Sequence, residues 1–229
     1  MRNIFIACDS SDLKKVNKII QNTQIKIKGY KIGYKFGLEF FYSKKGRQFV
    51  SKLKRKIIFL DLKLNDIKNT CVAAIRSLRD LKNINYITIH ASAGPETLKA
   101  VVKATKKYNK KIRIIVVTIL TNISNSDIKK IGYTRSIKDL VKKQTLMAKS
   151  CGCHGIVCAG SDTKFIKKIF KREVIVPGIR LKGDNAGDQK RVCGPKNAFS
   201  NGATSIVIGR SITKNNIRKN IKRLIKELK

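Results

Sequence analysis

A short run of alternating acidic, basic and apolar residues carries the clearest chemical signal in the sequence. It reads Asp61-Leu-Lys63-Leu-Asn-Asp66 at the end of an apolar stretch. Because side chains along a strand alternate between its faces, Asp61 and Lys63 share a face, and Asp66 can fold back over them from the following loop. A lysine beside carboxylates keeps its proton and suits a proton donor, while fixed carboxylates act electrostatically on a substrate. The alternative is a structural ion pair.

A further charge is expected at the end of the second apolar segment. Lys31 lies in Tyr30-Lys-Ile-Gly33, and we predict that this lysine ends a strand next to the one that carries Asp61. Its ammonium would then reach Asp61 and complete an alternating array of acids and bases. Taken singly, Lys31 is better explained as a solvated lysine in a lysine-rich protein.

Two glycine–arginine pairs indicate a phosphate-binding site. Gly178-Ile-Arg180 and Gly209-Arg210 each join a glycine, which allows close approach to the backbone, to an arginine whose guanidinium matches two phosphate oxygens. The glycine-containing segment 181–190 between them is interpreted as a mobile lid that closes on a bound ligand. Two surface arginines among 52 basic residues are the alternative.

Apolar segments of strand length alternate with amphipathic helical patterns along the chain. The predicted strands are residues 4–8, 27–33, 57–63, 86–90, 112–118, 155–159, 174–177 and 205–209. The predicted helices include residues 12–21, 69–81, 96–108, 137–150, 163–170 and 215–228. Eight strand–helix units of about 29 residues predict a parallel (β/α)8 TIM barrel, an α/β fold with a single domain over residues 1–229. A doubly wound open sheet is the alternative, but its GxGxxG turn is absent after the first strand.

The barrel prediction places function at the carboxyl ends of the strands. Most of those ends carry a polar or charged residue, which must be paired or bind a ligand because unpaired burial is costly. Asp9 follows strand 1, Thr121 lies just beyond strand 5, and the glycine–arginine pairs follow strands 7 and 8. His90 ends strand 4, and we interpret it as a buried neutral histidine that braces its neighbours.

The net charge of +38, from 52 basic and 14 acidic residues, invites a nucleic-acid interpretation. The basic residues are spread over the whole chain, however, and there is no tryptophan and no array of aromatic residues for stacking bases. A nucleic-acid-binding protein on a decayed barrel is therefore kept as the alternative to an enzyme. We expect any nucleic-acid binding to be weak, non-specific and sensitive to salt.

The six cysteines do not indicate a disulfide framework. The chain shows no signal-peptide pattern and no run of 18 apolar residues, so we expect no membrane span and a reducing, cytoplasmic location. Cys151-Gly-Cys153-His154 lacks the second pair of ligands that a structural zinc site requires, and ordinary packing is the preferred interpretation.

In several segments, in order from Ile4 to Thr213, the sequence resembles orotidine 5′-phosphate decarboxylases. The matching segments read FIACD, KIGYKFG, IFLDLKLNDIKNT, ITIHASAGPE, VVTILT, GIVCAG, VPGIRLKGDNAGDQKR and SIVIGRSIT. The DxKxxD motif alone is shared with phosphosugar decarboxylases and synthases, and the combination with PGIR, AGDQ and IGR makes the resemblance specific. It implies a homodimeric barrel that converts orotidine 5′-monophosphate (OMP) to UMP and CO₂, with no metal and no organic cofactor.

The resemblance also implies a role for individual residues. Lys63 would protonate C6 of the pyrimidine as CO₂ leaves, within a charged network that includes Lys31, Asp61 and Asp66. Asp66 and Thr70 would reach the site of the partner subunit. The implied ligand contacts are Asp9 and Lys31 at the ribose, Thr121 near the base, and Arg180, Gln189, Gly209 and Arg210 at the phosphate.

Two positions depart from the family pattern: Lys68, and His154, which stands where an acidic residue is common and to which we attach no function. Lys68 stands where the family usually has proline, and we expect this to loosen the loop that carries Asp66 and Thr70. The alternative within the superfamily is a metal-dependent phosphosugar decarboxylase or aldolase-like synthase. That activity needs magnesium held by carboxylates near strands 2 and 3, where this chain offers lysines.

Overall fold

Eight parallel strands close into a barrel in a computed structural model that describes residues 1–185, 187 and 191–228. The strands are β1 (Arg2–Ala7), β2 (Tyr30–Gly37), β3 (Ile57–Leu64), β4 (Ile84–His90), β5 (Arg113–Val117), β6 (Gly155–Val157), β7 (Glu173–Val176) and β8 (Ser205–Ile208). Neighbours in the chain are neighbours in the sheet, and β8 pairs with β1. The predicted (β/α)8 barrel is therefore confirmed, and the doubly wound alternative is wrong because an open sheet leaves two unpaired edges.

Helices connect the strands around the outside of the barrel. They are α1 (Leu13–Asn22), α2 (Leu38–Phe41), α3 (Gly46–Lys52), α4 (Lys68–Ser77), α5 (Gly94–Tyr108), α6 (Asn125–Lys130), α7 (Ile137–Ser150), α8 (Thr163–Ile169), α9 (Pro195–Ser200), α10 (Arg210–Thr213) and α11 (Ile217–Leu228). Short polar side chains start several of them by accepting hydrogen bonds from free backbone N–H groups. Asp12 accepts from Lys14 and Lys15, and Ser124 forms a capping box with Asp127. No helix in the described part of the chain is long and apolar enough to cross a bilayer.

The core has two layers, as expected for a barrel surrounded by helices. The larger layer lies between the strands and the helices. The smaller layer fills the barrel interior, where the ring of Phe5 packs edge-on against Phe59 and Tyr86 with centroids 5.1 and 5.3 Å apart. These aromatic rings fill the interior of the barrel below its carboxyl end. Charged side chains at the carboxyl end therefore lie above an apolar layer.

Strand β2 differs from its prediction in a way that matters for the site. It runs to Gly37 instead of ending at Gly33, and it pairs with β1 so that Lys31 lies opposite Asn3 and Lys35 opposite Ala7. Lys31 therefore lies at the amino end of the barrel, where it is exposed. The prediction that Lys31 ends strand 2 and reaches Asp61 is wrong, because the strand continues beyond Gly33 to Gly37.

Helix α4 begins at Lys68, the position where proline was expected from the resemblance. The preceding residue, Ile67, has the extended backbone, with φ −60° and ψ 157°, that a following proline would favour. It adopts this conformation although lysine follows it. The Lys68 ammonium lies 3.7 Å from a carboxylate oxygen of Glu96. Both side chains are exposed, so this ion pair contributes little to stability.

Candidate active site

A cavity of about 550 Å³ opens at the carboxyl ends of the strands. Its floor is apolar and includes Ala7, Phe59 and Val207. Its walls include most of the residues predicted to contact a ligand, namely Asp9, Asp61, Lys63, Thr121, Arg180, Gly209 and Arg210. This volume lies within the range of small-molecule sites, and the mixture of apolar floor and polar wall is typical of them.

Four charged side chains form a row of alternating sign on one side of the cavity. The Lys35 ammonium lies 2.8 Å from Oδ1 of Asp9 and 3.4 Å from Oδ2 of Asp61. The Lys63 ammonium lies 2.9 Å from the same Oδ2 of Asp61. The Lys35 and Asp61 side chains are 10% and 15% exposed, whereas that of Lys63 is 35% exposed. Lys63 is thus the lysine of the row that is more open to a ligand.

The array predicted from the sequence is present, but Lys35 occupies the place assigned to Lys31. The chain repeats a lysine–x–glycine pattern, Lys31-Ile-Gly33 and then Lys35-Phe-Gly37, and only the second copy reaches the carboxyl end of the barrel. Gly37 is required there because a Cβ atom would lie 2.9 Å from Oδ1 of Asp9. The second glycine thereby leaves room for the carboxylate that binds Lys35.

The ionisation of the row follows from burial and from its alternating charges. Burial raises the pKa of Asp61, but Lys35 and Lys63 together outweigh burial and hold the pKa below its usual value. Burial lowers the pKa of Lys35, and the charges of Asp61 and Asp9 reverse this effect and raise the pKa. Asp61 is therefore a carboxylate and Lys35 an ammonium at neutral pH.

Lys63 is aimed by an irregularity in β3. Its backbone is left-handed, with φ +47°, and the pairing of β3 with β4 shifts register between Leu60 and Leu64. The buried hydroxyl of Thr88 on β4 accepts a hydrogen bond from the Lys63 N–H at 2.8 Å and donates one to Oδ1 of Asp61 at 3.1 Å. Thr88 was missed in the sequence, where it is one of three polar residues of β4, with Asn85 and His90, and nothing local distinguishes it.

The two arginines that the resemblance assigns to the phosphate are held by backbone contacts in the loops after β7 and β8. The backbone N–H of Arg180 donates to the Cys193 carbonyl at 3.0 Å, and its guanidinium donates to the carbonyls of Ile179 and Asn185. Arg210 begins α10 directly after Gly209. Its guanidinium packs over Gly187, where a Cβ atom would lie 2.9 Å from Nη1. Gln189, assigned to the phosphate by resemblance, and most of the end of the predicted lid lie outside the described residues.

Asp66 and Thr70 do not line the cavity of their own chain. Both are exposed, Asp66 in the loop after β3 and Thr70 on α4. Oδ1 of Asp66 accepts a hydrogen bond from the Ile67 N–H at 2.7 Å. The expectation that Asp66 folds back over Lys63 within one chain is therefore not met, because its carboxylate turns to its own backbone.

A model of a known protein family matches residues 2–223, almost the entire chain. Its description is the orotidine 5′-phosphate decarboxylase / HUMPS family. The chain belongs to this family. The enzyme class that the resemblance implied is thereby confirmed, since the curated relatives of the chain are decarboxylases of this name.

Relatives match over most of their own length. The chain is 37% identical to the orotidine 5′-phosphate decarboxylase of Fusobacterium nucleatum, with 99% of this chain and 95% of the relative covered. It is 41% identical to that of Buchnera aphidicola over 180 residues, 76% of each chain. The crystal structure of the Lactobacillus acidophilus enzyme superposes with a TM-score of 0.83 at 26% identity, covering 100% of this chain and 99% of the other.

The arrangement of Asp9, Lys35 and Asp61 also bears on the metal-dependent alternative. The Lys35 ammonium stands between the two carboxylates, where a cation bound by both would have to lie. Among the described residues, no group of three or more histidine, cysteine or acidic side chains is placed to hold a metal ion. His154, beside the cysteine pair, instead accepts the Ile114 N–H on Nδ1 at 3.1 Å.

His90 is half-buried rather than buried as predicted, and its ring contacts the loop that follows β4. Its Nδ1 lies 2.7 Å from the Ser92 hydroxyl, which in turn donates to Asn65 at 3.0 Å. Burial and the charge of Lys63 lower the pKa of His90, so the ring is neutral at pH 7. Ser92 therefore ties the loop after β4 to the loop after β3 that leads to Asp66, and His90 contacts Ser92.

Proposed function

We propose that the protein decarboxylates OMP to UMP and CO₂, the last step of de novo UMP synthesis, without a metal or an organic cofactor. The observation that carries this proposal is the placement of Asp61 between two ammonium groups, with Lys63 on the side open to the cavity. The names of the relatives support the choice of substrate. Six unpaired cysteines favour action in a reducing cytoplasm.

The reaction needs charge stabilisation at one carbon. When the bond from C6 to the carboxylate breaks, CO₂ leaves and the electron pair remains on C6. A fixed ammonium beside that carbon stabilises the developing charge without reorganisation, because its position is set before the substrate reacts. Lys63 then transfers a proton to C6 and regains one from water. Lys35, Asp61 and Thr88 hold Lys63 in place for this step.

Ligand binding at a distance from C6 helps to order the site. We assign the phosphate to Arg180 and Arg210, with Gln189 added on the resemblance alone, and the ribose hydroxyls to Asp9 and Lys35. Thr121 lies at the opposite wall and suits the base. Interactions with these remote groups can supply binding energy that holds the reacting carbon against Lys63 in the transition state.

The decisive experiment follows OMP by ultraviolet absorbance with and without EDTA. We expect OMP to disappear at the same rate in both samples, with UMP as the product, because the charged row supplies the chemistry. Loss of activity with EDTA, restored by magnesium, would favour the metal-dependent synthase type instead. Absence of turnover by folded protein would contradict the proposal.

We further propose that the active protein is a homodimer in which Asp66 and Thr70 enter the partner's cavity. Neither side chain lines the cavity of its own chain, and both are exposed, beside an exposed apolar side chain, Ile67, that is 71% accessible. Apolar exposure next to unused polar groups is typical of an interaction surface. The basic charge of the chain opposes this association and gives it a dependence on salt.

Mixing two inactive variants tests the shared site. Lys63→Ala and Asp66→Ala each remove one part of every homodimeric site, so we expect both to be inactive. A mixed dimer has one doubly damaged site and one intact site. Random exchange of subunits should therefore restore about a quarter of the activity, since half of the dimers are mixed and one site in each is intact. If mixed dimers form without regaining activity, Asp66 does not act across the interface.

A further inference from the structure

Arg191 joins three consecutive loops at the carboxyl end of the barrel. Its Nη1 donates to Oδ2 of Asp162, after β6, at 2.8 Å. Its Nη2 donates to the carbonyls of Ile119 and Leu120, after β5, at 3.4 and 3.2 Å. The Arg191 and Asp162 side chains are 19% and 11% exposed, so the guanidinium is largely enclosed. Arg191 itself belongs to the segment that follows β7.

The loop after β5 that Arg191 contacts, and the segment to which Arg191 itself belongs, are each connected to a residue that lines the cavity. Ile119 and Leu120 immediately precede Thr121, which we place near the base. Two residues after Arg191, Cys193 pairs with the strand-like segment Gly178–Arg180: Arg180 N–H donates to the Cys193 carbonyl, and Cys193 N–H donates to the Gly178 carbonyl at 3.4 Å. One side chain therefore links the backbone that carries Thr121 to the backbone that carries Arg180.

We infer that Arg191 is a positioning residue that fixes the distance between the base-binding and the phosphate-binding loops. This inference rests on the proposed function, because it assigns the two loops to the two ends of one nucleotide. Arg191 does not line the cavity and acts through Thr121 and Arg180. A ligand that spans both loops gains from their fixed separation, whereas a ligand that contacts one loop does not.

Binding of a whole ligand and of its two halves tests this role. UMP spans both loops, ribose 5-phosphate contacts the phosphate loop, and uridine contacts the base loop. We expect Arg191→Gln to weaken UMP binding by about tenfold, a typical coupling between two sites, and to change the affinity for either half by less than about threefold. Calorimetric titration, direct or by displacement, gives the three affinities, and its stoichiometry counts only folded protein.

The matched control is Arg172→Gln at the opposite end of the barrel. Arg172 also donates from Nη1 to a backbone carbonyl, that of Cys153, at 2.7 Å, and it precedes β7. We expect this variant to bind all three ligands like the unmodified protein. If Arg191→Gln does not fold, Asp162→Asn replaces it, because this change keeps an oxygen acceptor but removes the charge that holds Nη1. We then expect a smaller loss in the same direction.

The outcomes separate the inference from the proposed function. An equal loss of affinity for UMP and for both halves would show a merely structural role and overturn the inference. Unchanged UMP affinity in Arg191→Gln would overturn it as well. Failure of the unmodified protein to bind UMP or to consume OMP would instead contradict the proposed function.

Discussion

Replacement of Lys63 with alanine should reduce OMP turnover by at least about 10⁴-fold while the barrel remains folded. The change removes the ammonium that faces the reacting carbon and the proton that C6 must receive. It leaves Asp61 paired with Lys35 and with the Thr88 hydroxyl, so no buried carboxylate is left alone. Turnover by ultraviolet absorbance, together with a thermal melt, checks both parts of this expectation.

Lys63→Arg is the matched control, because it keeps the positive charge but holds its proton too tightly to transfer it. We expect it to retain part of the affinity for UMP and to remain severely impaired in turnover. If Lys63→Ala turned over OMP at a near-normal rate, the assigned proton donor would be wrong. If Lys63→Arg were as active as the unmodified protein, charge alone would account for catalysis.

The second large effect is expected at Lys35 and not at Lys31, although both lysines lie on β2. Lys35→Met should lower kcat/KM for OMP by about 10²- to 10³-fold, because a buried group that orders Asp61 and Lys63 is lost. It should also destabilise the fold by about 3 kcal/mol, since Asp61 and Asp9 lose their shared partner. Lys31→Met, at the exposed amino end, should leave both quantities unchanged. Steady-state kinetics and denaturant unfolding of the two variants measure the difference.

The pH dependence of unfolding gives an independent readout of the same variant. The pKa of Lys35 is raised in the folded protein, so its stabilisation is complete below the unfolded value of about 10.4 and is lost as the pH rises through the folded value. Lys35→Met should remove this alkaline loss. Equal effects of Lys31→Met and Lys35→Met would show that the assignment of the two lysines is incorrect.

The sequence predicted the barrel and the Asp61–Lys63 pair because both depend on local pattern. The alternation of strand and helix patterns repeats eight times along the chain. Two residues that are two positions apart on a strand lie on the same face, whatever the pairing register of the strand. Lys31 and Lys35 are four residues apart and also share a face, so alternation could not distinguish them. Only the pairing of β2 with β1 decides which lysine reaches the cavity, and that pairing depends on contacts distant in sequence.

Thr88 and Arg191 could not be predicted for the same physical reason. Thr88 acts because a shift in the β3–β4 register brings its hydroxyl under Lys63. Arg191 acts because its guanidinium contacts the loop after β5. Its partner there, the Leu120 carbonyl, lies 71 residues earlier in the chain. Neither relation has a local sequence signature. Strand geometry placed Asp66 over its own site, because the local pattern does not show that the carboxylate accepts the Ile67 N–H instead.

The left-handed backbone at Lys63 has a consequence for how this enzyme can be engineered. A side chain in that conformation costs about 1 to 2 kcal/mol relative to glycine, which adopts it freely. The fold is therefore less stable than it could be at the residue to which we assign the proton transfer. Stabilising changes selected without regard to activity would favour glycine here. A thermostable version of this barrel must instead gain its stability elsewhere and leave the strained position untouched.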